Sequence, residues 1–184
     1  MDDYRAALAA IQQDERYQLN LDWGEPRSGH PEGAIRAHLA ELEKNLRKLQ
    51  PMLSAEEAAK LRLLIHTHDT FKPDARNGAP ITHPRSHASL ARSFLAEFCA
   101  DEDLLTMVQY HDEPYALWNQ LRSRMTVNGE RFERLLSAIR DWHVFTAFLI
   151  IDGCTAGKTR EPLQWFLSEI RDRVVAPFIP ADLL

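Results

Sequence analysis

The run Ile65-His66-Thr67-His68-Asp69-Thr70-Phe71-Lys72 places a histidine directly beside an aspartate, with a lysine three residues on. Imidazole and carboxylate together suit a borderline divalent metal, and one carboxylate can bridge two ions. The lysine adds a cation suited to phosphate. Taken alone, the pair reads equally as a helix-end aspartate beside an exposed histidine. More His and Asp residues recur on both sides: His38 upstream, then His83 or His87, His111 and Asp152. Asp152 directly follows the apolar run Phe148-Leu149-Ile150-Ile151. A carboxylate buried there without a partner is costly, so a metal is the better account of it. Other residues read as bystanders. His66 lies two positions before His68, which on a helix points it about 200° away and makes it a packing or surface residue. Asp112 precedes Glu113-Pro114, an acidic helix start, so its carboxylate is expected to cap the next helix. His143 reads as a core or surface histidine, and Trp118, Trp142 and Trp165 read as core, with Tyr115 or Trp118 available to line a pocket near His111.

The elements that must position these residues are helices. Helical spacing prevails, and the alternation typical of strands is nearly absent, so the fold class is all-α, a compact bundle of about seven or eight helices. The spacing predicts a first helix over Asp3 to Gln18, then a Gly- and Pro-containing loop from Trp23 to Gly29. A second helix is expected over Glu32 to Leu49, with Ile35, Leu39, Leu42, Leu46 and Leu49 forming an apolar stripe, stopped by Pro51. Ser54 with Glu57 is a capping-box signature opening a third helix that runs into His68-Asp69. The stretch Lys72 to Pro80 cannot remain helical through its prolines and glycine, and forms a loop bordering the site. Further helices are expected over Pro84 to Cys99, Asp101 to Tyr110, Pro114 to Arg124, Arg131 to Ile151 and Glu161 to Val174, followed by a tail ended by Pro177 and Pro180.

The 184 residues fit one domain large enough to bury a core without disulfides or a structural metal. Cys99 and Cys154 form no Cys-x-x-Cys pair and read as reduced, half-buried residues. The acidic start, Met1-Asp2-Asp3, lacks the basic and apolar regions of a signal peptide, and no apolar run approaches about 18 residues. The expected setting is cytoplasmic, with no membrane partner. A net charge of −5 argues against a broad nucleic-acid footprint, which needs a basic surface.

The order His38, His68-Asp69, a later histidine, His111 and Asp152 resembles the HD-domain superfamily of metal-dependent phosphohydrolases. His30-Pro31-Glu32-Gly33 followed by Ala37-His38-Leu39 is similar to the entry of the HD domain attached to bacterial tRNA nucleotidyltransferases. His68-Asp69-Thr70-Phe71-Lys72 resembles the family's His-Asp-x-x-Lys. The stretch His83 to Ala91, with Val108-Gln109-Tyr110-His111-Asp112 and the aspartate after Phe148 to Ile151, completes a likeness spanning about His30 to Lys158. Thr67 and Phe71 depart from the apolar residue and the glycine usual at those places. For the later histidine, His83 is preferred over His87, because Ala88 then falls at the family's small position.

The resemblance implies one HD-type domain with a core at about residues 30–158, on which the helices at 3–18 and 161–174 pack. It implies that His38, His68, Asp69 and Asp152 hold one divalent cation, with His83 and His111 available for a second. His and carboxylate ligands suit Mn, Fe, Ni, Co and Zn and, less well, Mg. Asp69 would bridge or orient the nucleophile. Lys72, with Arg76 or Arg85 from the neighbouring loop, would balance the charge of a phosphate; each arginine taken singly reads more readily as a solvated loop charge. The activity this implies is hydrolysis of a phosphomonoester or phosphodiester of a nucleotide or small phosphorylated metabolite. The alternative is an HD-like module that binds metal and nucleotide without turnover. A metallopeptidase reading of His83-x-x-x-His87 fails, because Pro84 stands where the general-base glutamate would be.

Overall fold

The computed structural model describes residues 3–178; Met1, Asp2 and the tail residue Pro180 lie outside them. The described chain is all-helical, with α1 Tyr4–Gln13, α2 Glu15–Asn20, α3 Ile35–Leu49, α4 Ala55–Thr67, α5 His87–Leu95, α6 Glu102–Tyr110, α7 Glu113–Arg124, α8 Gly129–Ala138, α9 Trp142–Gly153 and α10 Glu161–Ile170. Among the described residues no helix is long and apolar enough to cross a membrane.

Two of the expected helices are each divided. Asp14 is extended and its carboxylate accepts from the Arg16 N–H, so it ends α1 and caps α2. The long helix expected over Arg131 to Ile151 breaks at Ile139, also extended. There the Asp103 carboxylate accepts from the backbone N–H groups of Arg140 and Asp141 at 2.9 and 2.8 Å, and Asp141 caps α9 through Val144. A side chain distant in sequence thus satisfies the donors that a continuous helix would have used internally. The capping box of Ser54 and Glu57 forms at the start of α4.

α9 is the centre of the bundle. Every residue from Val144 to Ile151 is buried, so the helix is apolar all round, and α3, α4 and α10 pack against it. The stripe of α3 places Leu39, Leu42 and Leu46 in the same core. Burial of each such side chain stabilises the fold by about 1.5 to 3 kcal/mol. The Asn45 side-chain amide donates to the Ile151 carbonyl at 3.0 Å, satisfying an orphan acceptor in the last turn of α9 and tying that turn to α3.

The loop from α2 to α3 folds on itself. Gly24 and Gly33 have φ of +113° and +75°, and a Cβ on Gly24 would lie 2.6 Å from the Gly33 carbonyl oxygen. This fold carries His30 and Glu32 to the start of α3, which begins at Ile35 rather than Glu32.

Candidate metal centre

Helix ends deliver the chemistry. The end of α4 carries His68 and Asp69, the end of α6 His111 and the last turn of α9 Asp152; the first turns of α3 and α5 carry His38 and His87. At the end of α4, Thr67 and Thr70 donate their hydroxyls to the Leu63 and His66 carbonyls, both at 2.7 Å. His68 Nδ1 lies 3.0 Å from the Ile65 carbonyl oxygen and 3.2 Å from that of Leu64, so this nitrogen is the donor and Nε2 keeps its lone pair. His111 is held in the same way, with Nδ1 2.7 Å from the Val108 carbonyl oxygen.

Asp69 is the hinge of the cluster. Its Oδ2 lies 3.5 Å from His68 Nε2 and 4.0 Å from His38 Nε2, while Oδ1 lies 3.5 Å from His111 Nε2 and 3.8 Å from His87 Nε2. His38 Nε2 is also 3.1 Å from Asp152 Oδ1, and the Nε2 atoms of His87 and His111 are 3.1 Å apart. Among the described residues three groups of three converge: His38, His68 and Asp152; Asp69, His87 and His111; and, on the far side of the His38 ring, His30, Glu32 and His38, the ligand atoms of each lying within 4.8 Å of one another. Bonds of about 2.0 to 2.2 Å to a common ion would separate neighbouring ligands by roughly 3 to 3.5 Å, which these spacings approach. Buried polar atoms lacking a hydrogen-bond partner include His38 Nε2, His68 Nε2 and Asp69 Oδ1. Such groups are rare and costly; a cation in the first group would satisfy the two imidazole nitrogens, and one in the second would satisfy Asp69 Oδ1. These buried His and Asp clusters can hold a metal ion.

The electrostatics agree. Burial pushes His68 down to about 3, so the ring is neutral and its lone pair available near neutrality. Burial would raise Asp69, but Lys72 and the contact with His111 hold it well below the carboxylate range; Lys158 and the contact with His38 do the same for Asp152. The Lys72 ammonium lies 2.5 Å from Asp69 Oδ2 and that of Lys158 2.7 Å from Asp152 Oδ1. Both carboxylates are anionic without any metal.

The cluster opens on a cavity of about 440 Å³. His68, Asp69, Lys72, His111, Asp112, Asp152 and Lys158 form its polar wall, Leu149, Pro162, Leu163 and Phe166 its apolar one, and Tyr115 and Arg122 also line it. A second concavity, of about 450 Å³, lies away from the histidine cluster, lined by His143 and by Asp103 and Asp141, whose carboxylates are engaged with helix-terminal backbone.

Several sequence expectations require correction. His83 does not enter the cluster; its Nδ1 accepts from the Arg85 N–H, and His87 occupies the place assigned to it. The reason is local: Ser86, not a residue before Pro84, caps α5, so the helix begins at His87 and aims that first side chain at His111. Arg76 and Arg85 are exposed outside the cavity and pair through their backbones instead. Asp112 makes no capping bond to α7; its Oδ2 lies 3.2 Å from His87 Nε2. His66 is, as expected, a packing residue turned away from the cluster, with Nδ1 2.6 Å from the Tyr17 hydroxyl. Lys158 and Arg122, which sequence reasoning missed, carry no motif of their own. Only the position of Lys158 a few residues after Asp152 could have flagged it.

No family model matches the chain, and neither the curated proteins nor the solved structures contain a match.

Proposed function

We propose that the protein is a metal-dependent phosphohydrolase acting on a small phosphorylated compound, a phosphomonoester or phosphodiester, and that its architecture is that of an HD domain. The observation that carries this reading is Asp69, whose two oxygens face two separate histidine sets while Oδ1 and the Nε2 atoms of His38 and His68 lack partners. His38, His68, Asp69 and Asp152 would hold one divalent cation; His87 and His111, with Asp69 shared, would hold a second. Such a cation supplies Lewis-acid charge that lowers the pKa of water and draws electrons from a phosphoryl oxygen.

The remaining roles belong to the protein's own side chains. Lys72 and Lys158 present ammonium groups on the cavity wall, where charge-assisted hydrogen bonds suit phosphate oxygens. The carboxylates of Asp69 and Asp152 hold those ammoniums in place. Arg122 offers another cation, and the wall of Leu149, Pro162, Leu163 and Phe166 suits the apolar part of a substrate.

The test is metal analysis of the purified protein, paired with a panel of phosphomonoesters and phosphodiesters. The expected outcome is phosphate or phosphomonoester release that ceases on chelation and in His68→Ala. A metal-loaded protein that hydrolyses nothing in the panel, yet is thermally stabilised by a nucleotide, would favour a binding module instead.

A further inference from the structure

The three buried histidines of the cluster differ in what holds the far side of the ring. His68 and His111 place Nδ1 against backbone carbonyls, as described above, whereas His38 Nδ1 lies against a side chain: Glu32 Oε1, at 2.8 Å. Glu32 belongs to the loop preceding α3, and its side chain is only 5% exposed. The same oxygen is 3.1 Å from His30 Nδ1. The contact to His38 lies outside hydrogen-bond alignment, so His38 Nδ1 and the second Glu32 oxygen, Oε2, are both left unsatisfied and buried. An unsatisfied acceptor and an unsatisfied ring nitrogen thus sit on side chains already in contact. Pairing them removes two desolvation costs at once.

Chemistry then assigns the proton. A neutral imidazole that gives its Nε2 lone pair to a cation carries its hydrogen on Nδ1, and in a buried site that hydrogen needs an acceptor. We infer that Glu32 is a positioning residue: its carboxylate fixes His38 in the Nδ1–H tautomer and turns the Nε2 lone pair towards His68 and Asp152. The inference rests on the metal reading for its purpose, though not for the tautomer itself. The loop is shaped for the task, since a Cβ on Gly33, the next residue, would lie 2.8 Å from the Pro26 ring.

The experiment is nitrogen NMR of histidine-labelled, metal-free protein at about pH 8, where an ordinary imidazole is neutral, followed by calorimetric titration with Mn²⁺. Wild type, Glu32→Met and Glu32→Gln are compared. The expected result is an Nδ1–H tautomer for His38 in wild type, a population shifted to Nε2–H in Glu32→Met, and a loss of about 10- to 100-fold in Mn²⁺ affinity in that variant. Glu32→Gln retains a carbonyl acceptor and should recover most of both; the His38 tautomer is the readout that a merely structural role would not move. An Nε2–H tautomer in wild type overturns the inference, and that spectrum decides the matter even where Glu32→Met does not fold. Unchanged tautomer and affinity in Glu32→Met overturn it equally. A wild type that takes up no Mn²⁺ yet shows the Nδ1–H tautomer, lost in Glu32→Met, sinks the proposed function while supporting the Glu32 contact.

Discussion

His87 and His83 illustrate how much one residue's placement decides. Their four-residue spacing would put both on one helical face, but Pro84 and the Ser86 cap leave His83 outside the helix, where it accepts from the Arg85 backbone. His87→Ala should therefore weaken uptake of a second cation by at least about tenfold, and His83→Ala should leave it unchanged; a titration with Mn²⁺ or Co²⁺ that reads both stoichiometry and affinity separates the two. At this scale much of the cluster was legible. His38, His68, Asp69, His111 and Asp152 were all picked out from type and order, and the structure brings them together. Asp112 was not. Its helix-start context predicts a cap, yet the approach of His87 from a different helix draws its carboxylate into the cavity. Short-range chemistry cannot anticipate a partner 25 positions away in sequence.

Between helices, a few polar contacts set the spacing on which the site depends. Asn45→Ala removes the donor to Ile151 and leaves a buried carbonyl one residue before Asp152, at an expected cost of about 1 to 3 kcal/mol in urea unfolding. Because the last turn of α9 carries Asp152, cation affinity should fall with it; unchanged affinity would mean that the α9 end is held by packing alone. The pair α3 and α4 is joined by Glu43, which lies 3.6 Å from His66 Nε2 and 3.4 Å from Arg62 Nε. Burial works to raise Glu43, but His66 and Arg62 prevail and hold it below its ordinary 4.5. A folded-state pKa depressed in this way means that the unfolded chain binds more protons in acid. The stabilisation is present above about 4.5 and is lost as pH falls through the lower folded value. Glu43→Gln should flatten that part of the acid limb by roughly 1 kcal/mol or less, as followed by melting temperature against pH. The elements themselves were legible where periodicity is local, as in the α3 stripe and the Ser54 capping box. The divisions at Asp14 and Ile139 were not, because the second depends on Asp103, whose carboxylate reaches the chain only after α6 has packed.

The charge of the whole molecule and that of its cavity pull in different directions. The chain carries −5, which opposes the approach of a phosphorylated anion. The cavity wall offers Asp69, Asp112 and Asp152 against Lys72, Lys158 and Arg122, three negative groups and three positive ones, so apart from His111, whose protonation Asp112 and Asp69 favour, its charges cancel. One divalent cation makes the wall positive by two charges, and a second by four. Two linked outcomes follow in thermal melts. A divalent ion at about 100 times its dissociation constant should stabilise the protein by about 2.7 kcal/mol, roughly 5 to 10 °C for a chain of this size, and a chelator should reverse it. Inorganic phosphate should then raise the melting temperature further in the metal-loaded protein and leave the chelated protein unmoved, with the increment shrinking as salt screens the site. Phosphate stabilisation of equal size with and without the cation would show that Lys72, Lys158 and Arg122 suffice as the anion site, and the metal would lose its place in substrate recognition.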